Sequence, residues 1–206
     1  MTGKPVPAAH FHALYGSNPD PWNYKESPYE IEKYNTTLTM LPRPRFHTTV
    51  ELGCSIGVLT ALLASRTNRL LAIDVDERAL AQARLNCGSL PHVSFARMCI
   101  PDEWPSGIFD LCVLSEVIYY FSEDGLQSLA DYCARCIPRG GVIVLVNWLG
   151  ETGGPLSGEV AAEFFGALTK SSFTHTRQHR SSAYRIDVLT RSQRRRERSG
   201  VHCGPL

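Results

Sequence analysis

Between residues 48 and 149 the chain alternates short apolar runs with helix-patterned stretches, and this alternation restricts its fold more than any other feature. TTVELG, RLLAID, HVSFAR, FDLCVLS and GVIVLVNWL are β-rich runs. Among them, VLTALLASR, DERALAQARLN and EDGLQSLADYCARCI repeat apolar residues at helical spacing, with Asp76 an N-cap and Gly88 a stop for the second. Strands joined by crossover helices predict an α/β fold, a parallel sheet with helices on both faces. After it, SGEVAAEFFGALTK reads as a helix, and FTHTRQHR and YRIDVLTR, around Ser181 and Ser182, as a closing hairpin. Before it, SPYEIEKYNTTLTML predicts an amphipathic helix with Ser27 as N-cap and Pro28 at its first position, reached through the Pro- and aromatic-rich NPDPWNY.

A length of 206 residues with 43% hydrophobic content is enough for one domain with a proper core and excludes wholesale disorder. The net charge of +1 argues against a uniformly basic nucleic-acid binder, but it hides an asymmetry. Residues 1–176 carry 13 Lys/Arg against 18 Asp/Glu, whereas residues 177–206 carry 8 against 2. Residues 191–206 read as an Arg-rich, flexible tail on a body spanning residues 1–190, either solvated or touching an anion. No run of about 18 apolar residues occurs, and the start MTGKPVPAAHFHALYG lacks a signal peptide's apolar core, so a cytoplasmic protein without a membrane span is expected. Seven scattered cysteines imply no disulfide framework, and the lone CxxC of Cys133 and Cys136 reads as helix core. The histidines, among them His47, His92 and His175, show no metal-ligand spacing, so no metal is expected.

The strongest motif is Glu51-Leu-Gly53-Cys-Ser55-Ile-Gly57, set between a strand and a helix. Glycines there let the backbone turn sharply and approach a ligand, so an adenosine-type cofactor can lie over the strand ends. The spacing is neither the dinucleotide fingerprint GxGxxG nor a phosphate-binding loop with GK[ST]. Seventeen residues after Gly57, Asp74 ends the next strand, where a carboxylate can accept both ribose hydroxyls. Its other reading is a helix cap, for which Asp76 is better placed.

ELGCSIG with AID, then VSFARMCIPDEWPSGIFDLCVLSEVIYYF and PRGGVIVLVNW, resemble the class I S-adenosylmethionine-dependent methyltransferases over most of residues 45–190. More narrowly, DPWNYKESPYEIEKY, PDEWPSGIFDLCVLSEVIYYF and PLSGEVAAEFF resemble the rhizobial nodulation N-methyltransferases of the NodS type, which methylate the free amine of the non-reducing-end glucosamine of a chitooligosaccharide. The resemblance implies a Rossmann-like, mostly parallel seven-stranded sheet with a C-terminal antiparallel hairpin, residues 1–44 forming a lid and first helix. It implies S-adenosyl-L-methionine as cofactor, with Glu51, Gly53, Ser55 and Gly57 around the methionine portion, Asp74 at the ribose, and Val75, Met98 and Cys99 around the adenine. Cys99 stands where the family often carries an Asp toward the adenine amine, so another side chain or backbone groups must recognise that amine. Ser115 and Glu116 would face the methionine and the reacting centre.

Methyl transfer from a sulfonium is an in-line displacement, so the protein chiefly orients the nucleophile, and an amine must be neutral to attack. Glu116 is the candidate general base, its alternative reading being a capping or surface carboxylate. Tyr24, Tyr119, Tyr120 and Trp148 are candidate sugar-stacking faces, each equally readable as core, with Asn147 beside them. Trp22 and Tyr24 would form the lid, and Trp22 and Tyr34 would reach the cofactor. The acceptor partner expected is a chitooligosaccharide, with no nucleic acid for the body. A small-molecule O- or N-methyltransferase and an RNA-binding module using the Arg-rich end are the other readings.

Overall fold

A computed structural model describes residues 3–193. Residues 194–206, which hold most of the Arg-rich tail, lie outside the described residues. In chain order the elements are α1 (Ala8–Ser17), α2 (Pro28–Met40), β1 (Phe46–Leu52), α3 (Val58–Ala64), β2 (Thr67–Asp74), α4 (Glu77–Cys87), β3 (Val93–Arg97), β4 (Leu111–Ser115), a 3-10 turn (Ile118–Tyr120), α5 (Glu123–Cys136), β5 (Val142–Trp148), α6 (Gly158–Thr169), β6 (Phe173–Arg180) and β7 (Tyr184–Arg191).

The strands form one seven-stranded sheet in the order β3-β2-β1-β4-β5-β7-β6. β1 to β5 are parallel, while β7 runs antiparallel to both β5 and β6. Alternation along the central strands divides the core between two faces. Cys112 and Leu114 pack with Leu126, Leu129 and Cys133 of α5 and Phe165 of α6. Leu111 and Val113 pack on the other face with Leu59 and Leu63 of α3 and Ile186 and Val188 of β7. Cys133 and Cys136 are unpaired thiols on the buried side of α5.

The helix signals act as their chemistry requires. Ser27 Oγ accepts from the Glu30 N–H with Pro28 at the first helical position, and Asp76 Oδ1 accepts from the N–H groups of Arg78 and Ala79. The Gly88 N–H closes α4 on Arg84 O. In α2 the buried row is Glu30, Lys33, Tyr34 and Thr37, whereas Ile31 is half exposed. The helix is amphipathic in period but buries its charged face. α1 lacks a side-chain cap, has Pro7 before it, and was not part of the sequence-based expectation.

Candidate active site

The carboxyl ends of the central strands open on a cavity of about 560 Å³, within the usual range of small-molecule sites. One wall is built by Gly53 and Ser55 after β1, Asp74 and Val75 at the end of β2, Met98 and Cys99 after β3, and Ser115 and Glu116 at the end of β4.

The loop after β1 is tied to β2 by the N–H groups of Gly53 and Cys54, which both donate to Ile73 O at 2.8 and 2.9 Å. Gly57 has φ 79°, and a Cβ there would lie 2.9 Å from Ala83 Cβ. Both the backbone conformation and the close α3–α4 approach therefore require glycine. The Ser55 N–H donates to Asp74 Oδ2 at 2.8 Å and the Asp76 N–H to Oδ1 at 3.0 Å. Asp74 is thereby fixed with capacity left on each oxygen for another donor. Burial pushes its carboxyl up to about 6, against the pull of those backbone donors.

The opposite wall is the N-terminal segment, with Val6, Phe11, Tyr15, Trp22 and Tyr24 lining the cavity. Its anchors are few and specific. The Val6 N–H donates to Tyr120 O at 2.9 Å, and the Phe11 ring meets the Tyr120 ring edge-on at 4.9 Å. His12 Nδ1 lies 2.9 Å from Asp76 Oδ2, and Tyr15 Oη donates to Ser55 Oγ at 2.6 Å. Trp22 then packs between Tyr15 and Tyr24. The segment expected as a lid from Trp22 and Tyr24 thus includes a whole helix, α1, whose Tyr15 meets Ser55 of the glycine loop.

Glu116 lines the cavity in a left-handed conformation, φ 58°. Its carboxylate is held on both oxygens, with room for one more donor on Oε1: Oε1 accepts from Lys33 Nζ at 2.8 Å, and Oε2 accepts from Tyr119 Oη at 2.7 Å and the Trp148 N–H at 3.0 Å. It caps no helix and is not a surface group. Lys33 has no solvent exposure, and its Nζ also donates to Glu30 Oε1 at 3.0 Å. The sequence reading missed Lys33 and Glu30, as well as Tyr15 and Asp102 on the cavity wall.

Six expected site residues are not on that wall. Glu51 lies beneath the loop, where its Oε2 accepts from Thr60 Oγ1 at 2.7 Å and burial pushes its carboxyl up to about 8. It thereby ties the end of β1 to α3 through Thr60. Gly57 supports the turn from behind. Tyr34 does not reach the cavity, because α2 directs it into the core with Leu59 and Leu63. Tyr119 and Trp148 act through Glu116, the first by its hydroxyl and the second by its backbone, while the Trp148 ring is 41% exposed against Tyr29. Asn147 is buried with neither amide atom hydrogen-bonded. Of the expected sugar faces, Tyr24 and Tyr120 line the cavity. The described residues contain no cluster of three or more His, Cys, Asp or Glu able to hold a metal, and no helix long and apolar enough to cross a membrane.

Known proteins place this geometry in a family. The family model described as Nodulation protein S (NodS) matches residues 15–130, which include the glycine loop, Asp74 and Glu116. Nodulation protein S of Bradyrhizobium diazoefficiens is 33% identical over 105 residues, 50% of this chain and 50% of that protein. The chain spans about half the length of the curated relatives it matches. N-methyltransferase NodS from Bradyrhizobium japonicum WM9, solved in complex with S-adenosyl-L-homocysteine, superposes with a TM-score of 0.75 at 22% identity, covering 89% of this chain and 98% of that one. A putative methyltransferase from Pseudomonas syringae gives 0.70 at 29% identity, over 79% of this chain and 99% of that one. The sheet order and these superpositions define a class I methyltransferase fold, and the chain belongs to the NodS family.

Proposed function

We propose that the chain is an S-adenosylmethionine-dependent N-methyltransferase acting on the free amine of the non-reducing-end glucosamine of a deacetylated chitooligosaccharide, in Nod factor biosynthesis. The observation that carries this reading is one cavity joining the glycine loop, Asp74, Ser115 and Glu116 beneath an aromatic lid. Membership of the NodS family and the likeness to the structure of N-methyltransferase NodS support the choice of an amine and of this acceptor.

The residues present fit the cofactor. Gly53 leaves the backbone bare at the loop, and Asp74 keeps an acceptor site on each oxygen for the ribose hydroxyls. Val75 and Met98 flank the adenine. The Cys99 carbonyl, the backbone group able to accept from the adenine amine, already accepts from the Glu103 N–H at 2.9 Å. Asp102, on the cavity wall, is the side chain that takes that amine in place of the Asp absent at Cys99. When bound, the cofactor supplies a methyl group on a positively charged sulfur. Glu116 presents a carboxylate to the cationic acceptor, Tyr24 and Tyr120 offer faces for the sugar, and α1 with Trp22 excludes water. The body is residues 1–190, and the unpaired cysteines fit a cytoplasmic setting.

The decisive assay is transfer of labelled methyl groups to matched chitooligosaccharides. Incorporation into the oligomer with a free terminal amine, and none into its fully N-acetylated form, is expected. Incorporation into neither overturns the assignment.

A further inference from the structure

The amine acceptor assigned above poses a proton problem. An amine of ordinary basicity is largely ammonium near neutral pH and attacks only after losing a proton. The carboxylate on the cavity wall, Glu116, already faces the buried Lys33 Nζ at 2.8 Å. The structure continues inward. Beyond Lys33 lies Glu30, only 4% exposed, with Lys33 Nζ 3.0 Å from its carboxylate. Glu30 Oε2 is buried and lies 3.0 Å from the same Nζ, which faces it without hydrogen-bond geometry. Two carboxylates thus share one ammonium in the interior, leaving one negative charge uncompensated, which a proton would neutralise.

We propose that Glu116, Lys33 and Glu30 form a proton relay that draws the acceptor's proton from the cavity into the interior. The ammonium N–H breaks as an O–H forms on Glu116. Lys33 gives a proton to Glu30 and takes the one on Glu116. The result is a neutral amine in the cavity, Glu116 carboxylate, Lys33 ammonium and Glu30 as carboxylic acid, one proton moved and no charge created. The same path returns the proton to water when the product leaves. Burial, which raises Glu30 above the ordinary carboxylate range against the pull of Lys33, agrees with this terminal role. Lys33 and Glu30 touch no substrate, so both are positioning residues acting through Glu116.

The titratable groups packed around the relay are phenols and distant acids. Tyr29 and Tyr34 of α2 place their rings 4.9 and 5.7 Å from Lys33 Nζ, and Tyr119 and Tyr24 approach from the turn after β4 and from the lid. Burial raises all four above the ordinary phenol value, so none competes for the proton near neutral pH. Tyr184 of β7, Glu32 of α2 and Glu51 of β1 complete the surroundings.

The inference rests on the proposed function, and its test separates the two. In wild type and Glu30→Gln, kcat is measured from about pH 6 to about pH 10 on the free-amine oligomer. Glutamine keeps an oxygen for Lys33 but cannot take the proton. The expected result is a loss of about 100-fold near neutral pH, shrinking to about twofold at the alkaline end, with unchanged affinity for S-adenosylhomocysteine. A loss equal at every pH, or no loss, overturns the relay. Infrared spectroscopy provides a reading without turnover or mutation. Adding the free-amine oligomer to the wild-type complex with S-adenosylhomocysteine should produce a carboxylic-acid band, and the N-acetylated oligomer should not. Absence of that band, in a protein that does methylate the amine, overturns the relay alone. Absence of methyl transfer by wild type overturns the function on which it rests.

Discussion

The sheet and the N-terminal lid enclose the same cavity, yet different forces hold them. Val50, Leu52, Leu111, Leu114 and Val144 of the central strands have essentially no solvent exposure, so the sheet is fixed by burial and a continuous backbone ladder. The lid is fixed by single contacts: one backbone hydrogen bond to Tyr120, one hydroxyl on Ser55, one imidazole on Asp76 and an edge-on aromatic pair. Few contacts of that kind leave an element able to open locally while the sheet stays folded. Changes in the sheet should therefore be read in global stability, and changes in the lid in ligand affinity. α2 lies between the two regimes, since Lys33 ties a helix to the cavity wall through charge.

The largest effect is expected from Lys33→Met, which leaves Glu30 and Glu116 buried without their cation. A loss of about 3–5 kcal/mol in denaturant unfolding is expected; a loss below about 1 kcal/mol would show that α2 is held by apolar packing alone. Gly57→Val comes next. It combines a side chain at positive φ with a contact of 2.9 Å to Ala83, and about 3 kcal/mol should be lost from thermal stability. Normal stability in that variant would place the glycine loop with the lid, as an element tuned for the ligand.

Glu51 gives an effect that changes with pH. Its carboxyl stands at about 8, raised by burial from an ordinary value of 4.5. Across that window the folded chain holds a proton that the unfolded chain has released, so stability falls as pH rises from about 4.5 to about 8. Glu51→Gln should flatten this slope and gain about 2 kcal/mol at the alkaline end, as thermal melts at several pH values would show. An unaltered slope would assign the pH dependence elsewhere. The smallest effect is Tyr15→Phe, which removes the hydroxyl on Ser55 and nothing from the sheet. The affinity for S-adenosylhomocysteine should drop about fivefold, by about 1 kcal/mol, with the melting temperature unchanged. A shift in melting temperature instead would dissolve the distinction between lid and sheet.

The same contrast explains what could be read from the sequence. The strands, the glycine loop and the caps at Ser27 and Asp76 follow from local patterns, because apolar alternation, short polar caps and glycine each act over a few residues. α1 does not, since it lacks a capping side chain and is held by residues about 40 to 110 positions away, at Ser55, Asp76 and Tyr120. Lys33 was hidden for a related reason. On a helix with Ile31 beside it, a lysine reads as the solvent face, and its burial becomes tolerable through Glu30 on the same helix together with a glutamate 83 positions later. Tyr34, Trp148 and Tyr119 were sound guesses by neighbourhood, but orientation decides which side chain reaches a cavity, and spacing alone does not fix it.

Among the described residues, β6 closes the sheet on one side with only β7 as a neighbour. Most of its residues are exposed, His175, Arg177 and Arg180 among them, and its pairing register shifts between His175 and Arg177. A second strand arriving along that edge would meet an irregular ladder and a row of basic side chains, Arg180 paired with Glu159 and His175 with Asp187. Such an edge resists extension by another copy of the chain, so a border with open backbone groups is made unsuited to seed aggregation.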